Sequence, residues 1–188
     1  MSDESPSDDP VREKLLALVG KPIGDQEKAL APEPVNTAMI NHWIDAFDDR
    51  NPVYEFEEAA AESIHNNVVA PPAMMQTWTM PRPIIEGIAE RGGSPVEVTN
   101  NPLEHLDEAG YTATLATNSE LEFDRYLNVG DHLESQITLE SISEQKKTGL
   151  GLGYFVTWLT TYTDTSGEVV GRQRFRVLKF NPATMGGA

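Results

Sequence analysis

The chain has no cysteine, which excludes disulfides, thiolate nucleophiles and any cysteine-ligated metal. Histidine is scarce: His42, His65, His105 and His132 are scattered without metal-ligand spacing, so no metal site is expected. Basic residues are outnumbered, 14 Lys and Arg against 30 Asp and Glu, giving a formal charge of -16. Neutralising nucleic-acid phosphates takes concentrated Lys and Arg, so nucleic acid is not an expected partner. No apolar run reaches the roughly 18 residues of a membrane span, and the acidic start is unlike a signal peptide. The expectation is a cytoplasmic protein that does not engage a membrane. No Ser-His-Asp arrangement or phosphate loop is present. Gly149-x-Gly151-x-Gly153 lacks dinucleotide-binding spacing and enters a strand, so its glycines are assigned to a bend or close packing.

At 188 residues the chain is long enough for one domain with its own core. Residues 1–9, rich in Ser, Asp, Glu and Pro, are expected to be a disordered tail. The domain is assigned to 10–182, and 183–188 to a C-terminal tail. Pro10 begins a predicted helix over 10–19 that carries Val11, Leu15, Leu16 and Val19 on one face, with Gly20 as its stop. Met39, Ile40, Trp43, Ile44 and Phe47 form one apolar stripe on a second helix. A short alanine-rich helix is predicted over 55–64. Pro71-Pro72 reads as the first turn of a helix that carries Met74, Met75 and Trp78 inward, broken by Pro81 and Pro83. A further helical piece is predicted over 84–91, ended by Gly92-Gly93, and 94–110 reads as largely loop.

Beyond that point the pattern turns to period two. Strands are predicted over 111–123, 133–143, 151–162 and 168–180, with a hairpin turn over 164–167. Tyr154, Val156, Trp158 and Tyr162 share one face of the third strand and Phe155 and Leu159 the other, which predicts a central strand covered on both sides. Helices followed by an antiparallel sheet give an α+β class. Trp43, Trp78 and Trp158 all sit at apolar-period positions and are assigned to the core.

The segment Asp49-Arg50-Asn51-Pro52-Val53-Tyr54 resembles the Asp-x-Asn-Pro-aliphatic-His motif of the MaoC-like and (R)-specific hydratases. Tyr54 stands where that motif has His. Further blocks resemble one branch of the family, the His-lacking MaoC-domain subunit of two-component enoyl-CoA hydratases of steroid side-chain degradation. They are Met39-Ile40-Asn41-His42-Trp43, Val69-Ala70-Pro71-Pro72-Ala73-Met74, Asp107-Glu108-Ala109-Gly110-Tyr111, Ala116-Thr117-Asn118, Arg125-Tyr126-Leu127, Lys147-Thr148-Gly149-Leu150-Gly151 and Arg176-Val177-Leu178-Lys179-Phe180.

The resemblance implies a single hot-dog fold, in which an antiparallel sheet wraps a central helix, with extra N-terminal helices. It implies hydration of an enoyl-CoA, with a second MaoC-like subunit supplying the catalytic Asp and His, and coenzyme A present only as part of the substrate. No separate cofactor is expected. In the family the Asp–His dyad moves protons to and from water and the α-carbon; a tyrosine with an ordinary pKa near 10 is a poor base at neutral pH. No catalytic residue is therefore expected on this chain: Asp49 is left as a vestigial or positioning residue, and Tyr54 marks the missing His. None of the four histidines is an obvious replacement: His65 lies eleven residues after Tyr54, beyond the helix, and is assigned a surface or cap role, with a part in an unusual dyad as the alternative.

Asn51, Ala70, Pro71, Pro72 and Ala73 are the substrate-binding candidates. A helix start at 70–73 would point backbone N–H groups at a thioester carbonyl, and a plain buried helix start is the alternative. Arg172, Arg174 and Arg176 alternate on a strand and share a face. Together with Lys146, Lys147 and Arg125 they are candidates for the CoA phosphates; pairing with the chain's own carboxylates is the alternative. Two rival functions remain open: a self-sufficient homodimeric hydratase or 3-hydroxyacyl-thioester dehydratase, and a non-catalytic scaffold that docks a thiolase or a zinc-ribbon/OB protein. The branch's longer members also carry a C-terminal zinc-ribbon and OB extension, which does not occur within these 188 residues.

Overall fold

Alternating apolar residues in the C-terminal half pair into one antiparallel sheet. The computed structural model describes residues 9–24, 28–91, 94–96 and 98–185. Most of the predicted tail (1–8), the chain end (186–188) and the Gly92-Gly93 stop lie outside the described residues. In chain order the elements are α1 (Pro10–Leu16), β1 (Ala29–Leu30), α2 (Thr37–Phe47), α3 (Pro52–Glu55), α4 (Glu57–Ala61) and β2 (Val69–Ala70). A 3-10 turn (Pro72–Met74) then runs into α5 (Met75–Trp78), followed by α6 (Leu103–Glu108), β3 (Ala113–Phe123), β4 (Leu127–Asn128) and β5 (Leu133–Ile142). β6 (Lys146–Thr148), β7 (Gly151–Asp164) and β8 (Val169–Asn181) complete the sheet. Its strand order is β1-β5-β7-β8-β3, with β6 on β7, while β2 and β4 pair separately.

The helices lie against the sheet's inner face at two ends. At one end Ile40 and Ile44 of α2 and Met74, Met75 and Trp78 of the central helix pack with Leu133, Tyr162 and Val170. Gly171 permits that approach, because a Cβ there would collide with the Met75 thioether. At the other end Leu15 of α1 and Leu106 of α6 pack with Leu139, Tyr154, Val156 and Val177. Lys179, nearly buried on β8, donates to Asp107 of α6 at 2.6 Å and to Thr114 at 3.1 Å.

The four long strands form where alternation predicts them, and β7 is central. Its outer face is only half covered: Phe155 and Leu159 stay partly exposed, and the Arg176 guanidinium lies 4.2 Å from the Phe155 ring centre. The hairpin forms, with Asp164 Oδ1 accepting from the N–H groups of Ser166 and Glu168 and with Gly167 at φ 92°. Gly151, at φ 121°, and Gly153 both abut backbone of β8, the close packing expected of them.

Other expectations need correction. Asp9 belongs to α1, not to a tail. Its carboxylate accepts from Arg12 N–H at 3.0 Å and from the Tyr154 hydroxyl at 2.9 Å. Ala183 and Thr184 are likewise ordered in a 3-10 turn, where Thr184 Oγ1 accepts from Leu152 N–H. α1 stops at Leu16, and Val19 leaves it to bridge Leu139. The predicted 55–64 helix is split by extended backbone at Phe56. The predicted 84–91 helix is a series of turns that leaves Ile84 and Ile85 exposed. The predicted loop over 94–110 contains α6. The apolar stripe of α2 is buried only at Ile40 and Ile44; Met39 and Phe47 are exposed.

Candidate functional site

The Asp49–Tyr54 segment is a helix stop followed at once by a helix start. Asp48 ends α2 in the left-handed region at φ 52°. Asp49 Oδ1 accepts from Asn51 N–H at 3.1 Å, and Asn51 Oδ1 accepts from Val53 N–H at 3.2 Å, capping α3 ahead of Pro52. Both side chains are thus engaged in shaping the turn. Tyr54 points inward and is buried. Burial, then the neighbouring Tyr126, pushes its pKa above the ordinary phenol value; Asn51 pulls the other way and Asp49 adds to the rise. The phenol at the missing-His position is therefore held in its neutral form, with less phenolate available to take a proton than a free tyrosine would have.

No histidine takes over. His65 packs its ring on Tyr126, with centroids 4.3 Å apart. His132 Nε2 is bonded to the Ala31 carbonyl, His105 lies 3.9 Å from Glu108, and His42 is exposed on α2. Among the described residues no histidine is hydrogen-bonded to Asp49. No group of His, Asp and Glu among them could hold a metal ion.

The start of the central helix is poor in donors. Ala70 and Pro71 are buried, Pro72 is half-buried and Ala73 is exposed. Pro71 and Pro72 have no N–H, and Met74 N–H is bonded to the Pro71 carbonyl at 2.9 Å. Ala73 alone in this first turn has an N–H to offer a thioester oxygen. A cleft of about 580 Å³ lies nearby, lined by Asn66, Asn67, Val68 and Asn128 together with Glu57 and Thr37.

The candidate basic island is mostly closed by pairing with the chain's own carboxylates, the other reading of these residues. Arg172 is bonded to Asp124 at 2.9 Å. Arg174 is bonded to Glu122 at 2.6 Å and to Glu140 at 2.8 Å. Arg125 binds Asp131, Asp164 and Glu168 at 2.6, 2.9 and 3.2 Å. On β8 the pairs are diagonal: the β3–β8 register sets Glu122 opposite Arg172 and Glu120 opposite Arg174, and each arginine reaches the carboxylate two residues further along β3, Asp124 and Glu122. Arg176 and Lys147 have no carboxylate partner among the described residues, and Lys146 has only the exposed Glu144 at 3.9 Å. The six candidates thus do not converge; three remain open to an anion.

A second feature was not anticipated. The central helix ends at Trp78, so the inner face between the two core clusters is left uncovered. There an open channel of about 320 Å³ is lined by Ile23, Val98, Leu103, Ile137, Trp158 and Phe175, with Gln76 and Gln173 at its polar edge. Trp158, assigned to the core from its spacing, is part of this wall. Gln173 and Thr160, at inward positions of β8 and β7, were the sequence signs of polar groups on this apolar face.

Comparison with known proteins matches residues 17–173 to the model of the FAS1-like, dehydratase domain region. The chain belongs to this family. It is 47% identical over 171 residues to a probable enoyl-CoA hydratase alpha subunit of Thermomonospora curvata, covering 90% of this chain and 51% of that protein. It is 37% identical over 164 residues to the 3-oxo-4,17-pregnadiene-20-carboxyl-CoA hydratase alpha subunit of Mycobacterium tuberculosis, covering 87% and 50%. The chain thus spans about half the length of the curated relatives it matches. Among solved structures it matches a chain of the ChsH1-ChsH2 complex of M. tuberculosis at a TM-score of 0.78 and 33% identity, covering 95% of this chain and 94% of that one. The fold is the hot-dog fold of the MaoC-like dehydratases, its central helix limited to the Pro72–Met74 turn and Met75–Trp78.

Proposed function

We propose that this chain is the subunit of a heteromeric enoyl-CoA hydratase that shapes the acyl-CoA site without moving protons. The observation that carries the reading is the Asp49–Tyr54 turn: it keeps the Asp, Asn and Pro of the motif it resembles, yet it buries a neutral phenol where the base belongs, and none of the four histidines replaces it. A second hot-dog subunit supplies the Asp and His. Support for that partner comes from the alpha-subunit names of the relatives and from the two-component complex that the fold matches. β3 adds a physical reason: it is an 11-residue edge strand with nearly every side chain exposed, and such an edge pairs with another strand or is otherwise protected.

The acyl group enters the channel beyond Trp78. Its apolar walls and its volume, at the small end of ligand pockets, suit a bulky hydrocarbon that extends into open space. A steroid-derived enoyl-CoA fits that description and agrees with the substrate in the name of the M. tuberculosis relative. Arg176, Lys146 and Lys147 are the residues left to meet the CoA phosphates. The donor-poor turn at Pro71-Pro72 argues against a self-sufficient enzyme, since one N–H is little to stabilise a developing enolate. The test is hydration of an enoyl-CoA by the pure chain, alone and mixed with an Asp/His-bearing hot-dog subunit. Activity is expected only in the mixture; efficient hydration by the chain alone would refute the reading.

A further inference from the structure

The channel has one polar edge, and its hydrogen-bond chain has a direction. Tyr162, buried on β7, donates to Gln173 Oε1 at 2.9 Å. Gln173 is itself nearly buried, and its amide nitrogen donates to Gln76 Oε1 at 3.2 Å and to Ser119 Oγ at 3.1 Å. That uses the carbonyl and both N–H bonds of Gln173. Gln76 therefore accepts through its oxygen, and its own NH₂ is the free end of the chain at the channel wall. Burial raises the Tyr162 pKa to about 12, so its proton stays in place at any working pH. Among the described residues no hydrogen bond uses the Gln76 NH₂.

We propose that Gln76 determines specificity by donating a hydrogen bond to a carbonyl oxygen on the body of the acyl group seated in the channel. Gln173 is a positioning residue, held by Tyr162, that turns the Gln76 donor outward. The chemistry selects an acceptor: a ketone fits, a hydrocarbon leaves the amide without a partner, and a carboxylate at position 76 would repel the ketone. Asn101 also lines the channel, and its Oδ1 likewise accepts, from Leu103 N–H at 3.1 Å; its NH₂ is therefore the rival donor, but no buried side chain among the described residues holds it as Gln173 holds Gln76. This proposal rests on the reading that the channel takes the acyl group.

The test uses the full chain and neutral steroids without CoA, a ring ketone and its carbonyl-free counterpart, with binding read from the fluorescence of Trp158 in the channel wall. One neutral hydrogen bond corresponds to roughly a three- to tenfold preference for the ketone. Gln76→Leu should abolish that preference while still binding the hydrocarbon, and Gln76→Glu should bind the ketone less well than wild type. Asn101→Ala should keep the preference. A preference that survives Gln76→Leu, or one lost in Asn101→Ala, overturns the assignment to Gln76 and leaves the channel reading intact. If neither steroid binds, the channel reading and the proposal are overturned together.

Discussion

Replacing Arg125 with methionine removes a guanidinium that ties three segments together: Asp131 after β4, Asp164 at the end of β7 and Glu168 before β8. The Glu168 side chain is 59% exposed, so that pair contributes no more than about 1 kcal/mol. Asp131 and Asp164 are 22% and 15% exposed, and losing their partner is costlier. Neither is left bare: Asp131 keeps Asn128 N–H, and Asp164 keeps the Ser166 hydroxyl and two backbone N–H groups. The total should fall below the 3–5 kcal/mol of a fully buried broken pair, at about 2–3 kcal/mol. For a chain of this size that is a fall in Tm of roughly 5–10 °C, read by thermal and urea unfolding.

The pH dependence adds a check. The Ser166 hydroxyl first, then Arg125 and the backbone N–H groups of Glu168 and Ser166, lower the Asp164 pKa to about 2. A carboxyl depressed in the folded state contributes stability above its unfolded pKa and loses it as pH falls through the folded value. The gap between wild type and Arg125→Met should be full at pH 7 and shrink between about pH 4 and pH 2. A variant that melts within 1 °C of wild type yet binds coenzyme A more weakly would make Arg125 a phosphate ligand and refute the clamp.

Two further outcomes follow from packing. Gly171→Ala should destabilise by about 1–3 kcal/mol in urea unfolding, because the new methyl drives Met75 and the short central helix off β8. Asp107→Ala leaves the nearly buried Lys179 ammonium with only Thr114 and should cost about 1–3 kcal/mol by the same measurement, with α6 the first segment to lose hydrogen-exchange protection.

The sheet was legible because period-two alternation is a local signal: β3, β5, β7 and β8 begin and end within two residues of their predicted bounds. α2 was legible from its stripe, although spacing alone did not distinguish the buried Ile40 and Ile44 from the exposed Met39 and Phe47. α6 was missed because its burial rests on Leu106 and on a bond from Lys179, more than 70 residues away. The 84–91 segment was over-read: Ile84 and Ile85 have the right composition but no surface to pack against. At the site, the exchange of His for Tyr54 was visible in the motif. Self-pairing of the arginines was foreseeable in so acidic a chain, but not the partners: alternation sets Arg172, Arg174 and Arg176 on one face, while strand geometry decides which carboxylates each one meets. The channel was invisible for a similar reason. It arises where a helix stops short, and the Tyr162–Gln173–Gln76 chain joins residues from three elements.

The most direct test of the half-site account uses matched variants in the mixed hydratase. Asp49→Ala or Tyr54→Phe in this chain should leave kcat within about twofold, whereas replacing the catalytic His of the partner should lower it by roughly 10²-fold or more, the usual contribution of a general acid–base group. A comparable loss from Asp49→Ala or Tyr54→Phe, in protein that folds and assembles normally, would contradict the account and return proton transfer to this chain.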